Sequence, residues 1–444
     1  MAEFKIRALN YSKSNQILIV GSCILKETPH KGGYKMKNLY KDSRFRLIIF
    51  ANIASSIGSG ITMIAIPWML VTSENGNALF GYVTICMTII SFLVTPLIGN
   101  LVDKMSRKNL LLISELVCFL LLLFFSLIGF LGLSYEVWHY TIIYAIGSLY
   151  YTIFYPTMFA MNQEIFSKEQ YKSLNGTMEV QGQLSSVVAG GLASILLLKW
   201  DLHYILLLDA LTYAAAIYFY LKVPYVRAKA NKDGKVIKSK ASEGLVYMLK
   251  RPAMFIFLLF SIMPFIGVMI TNYLFPVYLS DVLRASGSFY GMQGMIYGLG
   301  AILAGIFIPT IAKKIGDGKT IIFAVLTYTI AISFIIIANV PFYLLLMFFI
   351  AMGNSGARVA RNSFLMDQIP NDIIGRVDSL FRTLGLLFRI ILLAIFTGMV
   401  SSGLIIYCFI VLIGVLIASS ILVIFSWKKG IEINDKTSHI IVSN

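Results

Sequence analysis

Four ionisable side chains sit inside long apolar runs: Glu115, Glu179, Asp209 and Arg389. A charge at the centre of a membrane-spanning helix costs a few kcal/mol unless it is paired or hydrated, so each is a candidate for function. Glu179 lies about five residues into its run and Arg389 about thirteen, roughly mid-membrane at about 1.5 Å of rise per residue. A carboxyl among apolar neighbours can load a proton on one face and release it on the other. Glu179 is therefore read as the proton-coupling group, with Gly176 and Gly182 leaving room beside it for water or substrate. Arg389 is read as holding an acidic group, either on a substrate or on a facing helix. Glu115 and Asp209 read first as structural acids and second as alternative coupling groups.

Four more arginines, Arg358, Arg361, Arg376 and Arg382, gather where two apolar runs meet the polar segment between them. Such residues snorkel towards water. They could also form a gate pairing with Glu164 or Asp103, or a funnel for an anionic substrate. Tyr144, Tyr150, Tyr151 and Tyr155 fall along one run and could line a cavity for a flat apolar molecule, whereas His139 and His203 read as interfacial anchors.

Hydrolytic and kinase motifs are absent from the sequence. Gly316-Asp317-Gly318-Lys319-Thr320 lacks the earlier glycine of a phosphate-binding loop, because Lys313 stands in its place. The four cysteines, Cys23, Cys86, Cys118 and Cys408, show no metal-ligand spacing. These features point away from an enzyme and imply neither a cofactor nor a metal.

The elements that must carry these residues are apolar helices. Of the 444 residues, 58% are hydrophobic and 13% charged, against about 25% charged in an average soluble protein. Twelve runs reach the length of about 20 residues that spans a bilayer. They fall near 45–71, 79–101, 109–132, 138–161, 174–198, 203–223, 253–279, 288–312, 320–338, 341–361, 376–400 and 404–427. The expected architecture is an all-α membrane protein of twelve transmembrane helices in two six-helix bundles, 45–223 and 252–427. Residues 1–44 form an amino-terminal segment, 224–251 a Lys-rich linker with an amphipathic piece at 242–249 on the lipid surface, and 428–444 a tail. Two such halves place a substrate path at their interface.

A net charge of +16 would suggest nucleic acid in a soluble protein, but its placement argues for a membrane instead. Lys and Arg cluster up to Arg46, from Lys222 to Arg251, and at Lys104/Arg107/Lys108, Lys313/Lys314/Lys319 and Lys428/Lys429/Lys436. All of these segments fall on one face, which by the positive-inside bias is cytoplasmic and holds both termini. The expected setting is the cell membrane, and the expected state a monomer. Residues 1–35 carry only a short apolar stretch, 17–25, and no cleavage pattern of a secretory signal.

After the second run the chain reads Gly99-Asn-Leu-Val-Asp103-Lys104-Met-Ser106-Arg107-Lys108. This resembles the major facilitator superfamily signature G-x-L-x-D-R-x-G-R-K, with Lys104 for the first Arg and Ser106 for the second Gly. The resemblance implies that Gly99, Asp103, Lys104, Arg107 and Lys108 form a conformational latch, in which Gly99, Asp103 and Arg107 contact the start of the eleventh span. The corresponding loop of the second half, 305–319, has no Asp at the expected place.

Ser56-Ile-Gly58-Ser-Gly60 with Pro67-Trp68, Leu208-Asp209-Ala-Leu-Thr-Tyr213, Glu243-Gly244 with Arg251-Pro252, and Gln368-Ile-Pro370 with Gly375-Arg376-Val377 are similar to the macrolide-efflux and enterobactin-exporter branch. That likeness implies export of a small amphiphilic molecule, a drug, macrolide or siderophore, by alternating access and proton antiport. Lysolipid or lipid transport and a non-transporting membrane sensor of the same fold are the alternatives. In the fifth span, 182–191 keeps small residues for tight packing but lacks the proline common in antiporters.

Overall fold

The computed structural model describes residues 39–167, 170–226, 242–370 and 373–428; within these, the side chains of 96, 100, 103, 171–173, 175, 176, 242, 243 and 375 are not described. The apolar stretch at 17–25 and most of the basic linker lie outside the described residues. No strand occurs among the described residues.

Twelve helices are long and apolar enough to cross a membrane. The first half comprises α1 (Ser43–Val71), α2 (Gly76–Lys104), α3 (Arg107–Phe130), α4 (Val137–Ile165), α5 (Tyr171–Lys199) and α6 (Leu202–Lys222). A short helix, α7 (Ser242–Leu249), precedes the second half. There α8 (Pro252–Ser261) and α9 (Met263–Val277) make one span, followed by α10 (Gly287–Ile315), α11 (Asp317–Ser333), α12 (Val340–Gln368), α13 (Ile374–Ser401) and α14 (Ile405–Ser426). The halves form the two six-helix bundles of the expected fold. Ser43 and Ser426 share one face, called here the terminal face.

Several helices run past the apolar stretches because polar caps extend them. Asp42 accepts from the Arg44 amide at the start of α1. Ser106, the residue that departs from the signature's glycine, caps α3 by accepting from the Asn109 amide. The break between α8 and α9 falls just before Pro264, which has no N–H for the helical ladder. Large apolar side chains such as Leu93, Phe124, Ile391 and Ile421 point outward, as lipid-facing surfaces require. Rather than only lying on lipid, α7 packs against α13 and α8: Met248 is fully buried, and Gly244 lies against the Arg376 backbone.

Candidate functional site

A cavity of about 650 Å³ lies between the halves. It runs from Asn162 and Met178, near the terminal face, to Pro67 and Tyr290, near the opposite one. Its walls carry aromatic rings and uncharged amides, among them Gln181, Asn272 and Gln293, and, among the described residues, no Asp, Glu, Lys or Arg. Tyr144, Tyr151 and Tyr155 line it. Tyr150 turns the other way, into the core of the first half.

The cavity is closed at the end opposite the termini. Trp68 of α1 stacks on Tyr290 of α10 with ring centroids 6.2 Å apart. Asn77 at the start of α2 donates to Asp281 at the end of the seventh span, and the Tyr273 hydroxyl donates to the Asn77 carbonyl at 3.1 Å. Beside them α5 and α10 touch backbone to backbone. A Cβ on Gly190 would stand 2.4 Å from the Met295 nitrogen, and one on Gly291 2.4 Å from the Ser194 nitrogen. Small residues let the helices approach this closely, and the packing expected of the fifth span is present without its proline.

Near the terminal face the two halves meet differently. Glu179 of α5 accepts from Arg358 of α12 at 2.9 Å and from Gln183 at 3.1 Å. The Glu179 side chain is 60% exposed, so the apolar surroundings expected for it are not those it has. Its carboxylate is paired across the halves and exposed. Gly182 lines the cavity with open space beside it, as expected.

Buried acids lie instead behind α1. Glu115 on α3 is fully enclosed, and its Oε1 accepts from the Tyr150 hydroxyl at 2.8 Å while Oε2 has no partner. The Tyr150 hydroxyl also reaches the Ser55 hydroxyl at 3.4 Å. On α6, Asp209 is 2% exposed and accepts from Thr62 at 2.6 Å and from Thr212 at 3.3 Å. Neither acid has a salt bridge among the described residues. Tyr151, on the cavity wall, shares a 2.7 Å hydrogen bond with the Ser59 hydroxyl, which also donates to the Ser55 carbonyl at 2.6 Å.

The signature loop is engaged within its own half. Arg107 pairs with Glu164 at the end of α4, and Glu164 also accepts from Tyr225. Lys108 donates to the carbonyls of Leu221 and Val223 at 3.0 and 2.8 Å and so caps the end of α6. Gly99 is exposed with open space where a Cβ would stand, so close helix approach does not explain it here. Lys104 is exposed too, and the Asp103 side chain lies outside the described ones. Among the described residues, the ion pair of Arg107 is thus with α4 and not with the start of α13.

The four gathered arginines divide. Arg358, Arg361 and Arg382 line a second pocket of about 310 Å³ among α8, α9, α12 and α13, whereas Arg376 sits against α7. Among the described residues, Arg358 takes Glu179 and Arg382 takes Asp378 at 2.7 Å, in place of the Glu164 expected. Arg389 makes no ion pair among the described residues, and its Nε is buried without a partner. No facing helix supplies the acid expected for it there.

His139 is buried and accepts from the Glu136 amide at 2.8 Å, making it a helix cap more than a membrane anchor. His203 packs against Phe130 and Tyr204. Sequence reasoning missed the Asn77–Asp281 link and the hydroxyl partners Ser55 and Thr62. Single polar residues at helix ends, and Ser or Thr within apolar runs, carry no spacing signal.

A model of the Major Facilitator Superfamily matches residues 48–393 and 264–433. Macrolide efflux protein A of Streptococcus pyogenes is 21% identical over 383 residues, covering 82% of this chain and 94% of that protein. Over 72 residues, 16% of the chain, it is 39% identical to the multidrug efflux pump Tap of Mycolicibacterium fortuitum, covering 17% of that pump. Among solved structures, the nucleoside transporter NupG superposes with a TM-score of 0.66 at 16% identity, over 87% of this chain and 99% of that one. A D-xylose-proton symporter does so with 0.64 at 15%, over 86% and 97%.

Proposed function

The chain belongs to the Major Facilitator Superfamily, and from that premise we propose that it exports a small amphiphilic molecule through the cell membrane by alternating access, coupled to proton entry. The observation that carries this reading is the uncharged aromatic cavity between the halves, closed at one end by Trp68, Tyr290 and the Asn77–Asp281 link. The likeness to efflux proteins supports the direction, and the basic clusters support a cytoplasmic terminal face. On this reading the described conformation has its closed end outward. Opening that end requires α5 and α10 to separate around Gly190 and Gly291, and Trp68 to leave Tyr290.

In this mechanism Glu115 and Asp209 carry the coupling proton, because both are enclosed without a cation and are satisfied only by hydroxyl donors. An ionised carboxylate in such a place is costly, and a bound proton removes the charge. Through Tyr150, Ser55 and Ser59, polar groups run from Glu115 to Tyr151 at the cavity wall. Glu179 acts as one side of a gate through its pair with Arg358. The test is accumulation in proteoliposomes under an imposed pH gradient, with macrolides, dyes and siderophores offered in turn. Export of none, with the protein folded and inserted, overturns the proposal.

A further inference from the structure

The cavity wall is neutral, yet the pocket beside it is rich in cations and short of anions. Arg361 of α12 is 9% exposed, and both its Nε and its Nη2 are buried without a hydrogen-bond partner. Its nearest carboxylate, Asp378, stands 4.0 Å away and is already held by Arg382 at 2.7 Å. The guanidinium otherwise rests over the Phe381 ring, 5.2 Å from its centroid. A buried charge with so little compensation is expensive. An arginine fork presents paired N–H groups suited to a carboxylate or phosphate.

Ile262, Phe265, Met269 and Leu386 give the pocket an apolar wall, beside the uncharged polar groups of Ser261, Asn354 and Asn362. The pocket also adjoins the central cavity. Asn354 lines the pocket and donates at 2.7 Å to the hydroxyl of Tyr297, which lines the cavity. Along α13, Arg382 and Arg389 lie two turns apart on one face, about 10 Å at the helical rise. The unpartnered Nε of Arg389 therefore continues the same cationic stripe deeper into the membrane.

We propose that this pocket is an anion subsite, in which Arg361 and Arg382 bind the carboxylate or phosphate head of an amphiphile whose apolar body extends into the aromatic cavity. This rests on the transport reading for its role, but not for its existence. The substrate class it implies is an acidic amphiphile, with Arg389 receiving the head at the next step along α13.

Equilibrium binding to the purified full chain in phosphatidylcholine nanodiscs tests it, using fluorescent dansylaminoundecanoic acid and its uncharged methyl ester. Arg361→Gln should weaken the acid by about tenfold or more while leaving the ester within about twofold. Arg361→Lys should weaken the acid less, and Lys314→Gln, an exposed position on α10, should change neither. Retained ester binding reports that each variant is folded. Equal affinity of the wild type for acid and ester, or equal loss of both in Arg361→Gln, overturns the subsite. Discs containing phosphatidylglycerol identify the source of the head: competition with the acid assigns it to lipid, and unchanged binding to a soluble anion. Transport that fails while selective binding persists removes the export reading alone, and the reverse result removes the subsite alone.

Discussion

The two halves carry opposite charges in their interiors and satisfy them by different means. In the first half the interior charges are acids: Glu115 and Asp209 lie enclosed among hydroxyls, and Glu179 stands at the cavity's edge. In the second they are arginines, with Arg361 and Arg389 each holding a buried nitrogen that has no partner. A neutral acid and a neutral hydroxyl suit one another inside a bilayer. A guanidinium stays ionised and has no neutral form to retreat to. The first half is therefore built to be neutralised by a proton, the second by an anion. Among the described residues one salt bridge joins the halves, Glu179 to Arg358.

The largest effect expected from this division is on coupling. Replacing Glu115 with Gln and Asp209 with Asn together should reduce pH-driven accumulation in proteoliposomes to background while preserving downhill exchange. The amides mimic the proton-bound acids and keep the Tyr150 and Thr62 hydroxyls as partners. Accumulation that survives the double change would end the assignment of proton binding to these acids, and Glu179 would be tested next.

Next in size is closure of the end opposite the termini. Gly190→Val places methyl groups where the backbone of α10 already stands, an overpacking that costs about 1–3 kcal/mol. The change should lower the unfolding temperature in detergent and expose a cysteine placed at Ile64, in the cavity wall below the closed end, to water-soluble reagents. Gly182→Val, which faces open cavity space, should do neither. Equal behaviour of the two variants would show that the α5–α10 approach does not hold that end shut.

The pair joining the halves should matter less. Both partners are substantially exposed, 42% for Arg358 and 60% for Glu179, and exposed pairs contribute about 0.2–1 kcal/mol. Glu179→Gln should therefore shift the balance of open and closed terminal faces by no more than about fivefold. Exchanging the two residues, Glu179→Arg with Arg358→Glu, should restore it. Cysteine accessibility at the terminal face reads both results. A complete loss of transport in Glu179→Gln, not rescued by the exchange, would give Glu179 a role beyond the gate.

The twelve spans were legible because each apolar run comes to about the 20 residues that cross a bilayer, a signal that needs no partner to interpret. Their ends were less so: α3 begins at Arg107 because Ser106 caps it, and α4 continues to Ile165 past the end of its apolar run. Charged residues inside the runs were identifiable as candidates from type and place alone. Their surroundings were not. Whether Glu179 faces apolar neighbours or water depends on rotation about the α5 axis, and that is set by how α5 packs against α1 and α10. The arginine pocket needs α8, α9, α12 and α13 together, and linear spacing cannot show that Asp378 serves Arg382 and leaves Arg361 short. Arg107 pairing with Glu164 was hidden for the same reason, since its partner sits on the next helix.

The smallest expected effect comes from a charge pair outside the membrane that is satisfied on both sides, and it calibrates the unsatisfied ones. Asp42 accepts from the Arg44 side chain at 2.7 and 3.1 Å and from its amide at 2.8 Å. The hydrogen-bonded guanidinium holds the Asp42 carboxyl below its ordinary range, against the opposing effect of burial. The folded protein therefore binds fewer protons at this site than the unfolded chain does, and its stability rises with pH across that interval. The contribution is fully present above the unfolded value of about 3.9 and is lost as pH falls through the lower folded value. Asn caps a helix about as well as Asp, so Asp42→Asn removes the charge and keeps the cap. Its cost should be on the order of a few tenths of a kcal/mol at neutral pH, read as a small drop in unfolding temperature that narrows on acidification. A difference that instead grows as pH falls would mean that the pair is not the origin of the effect.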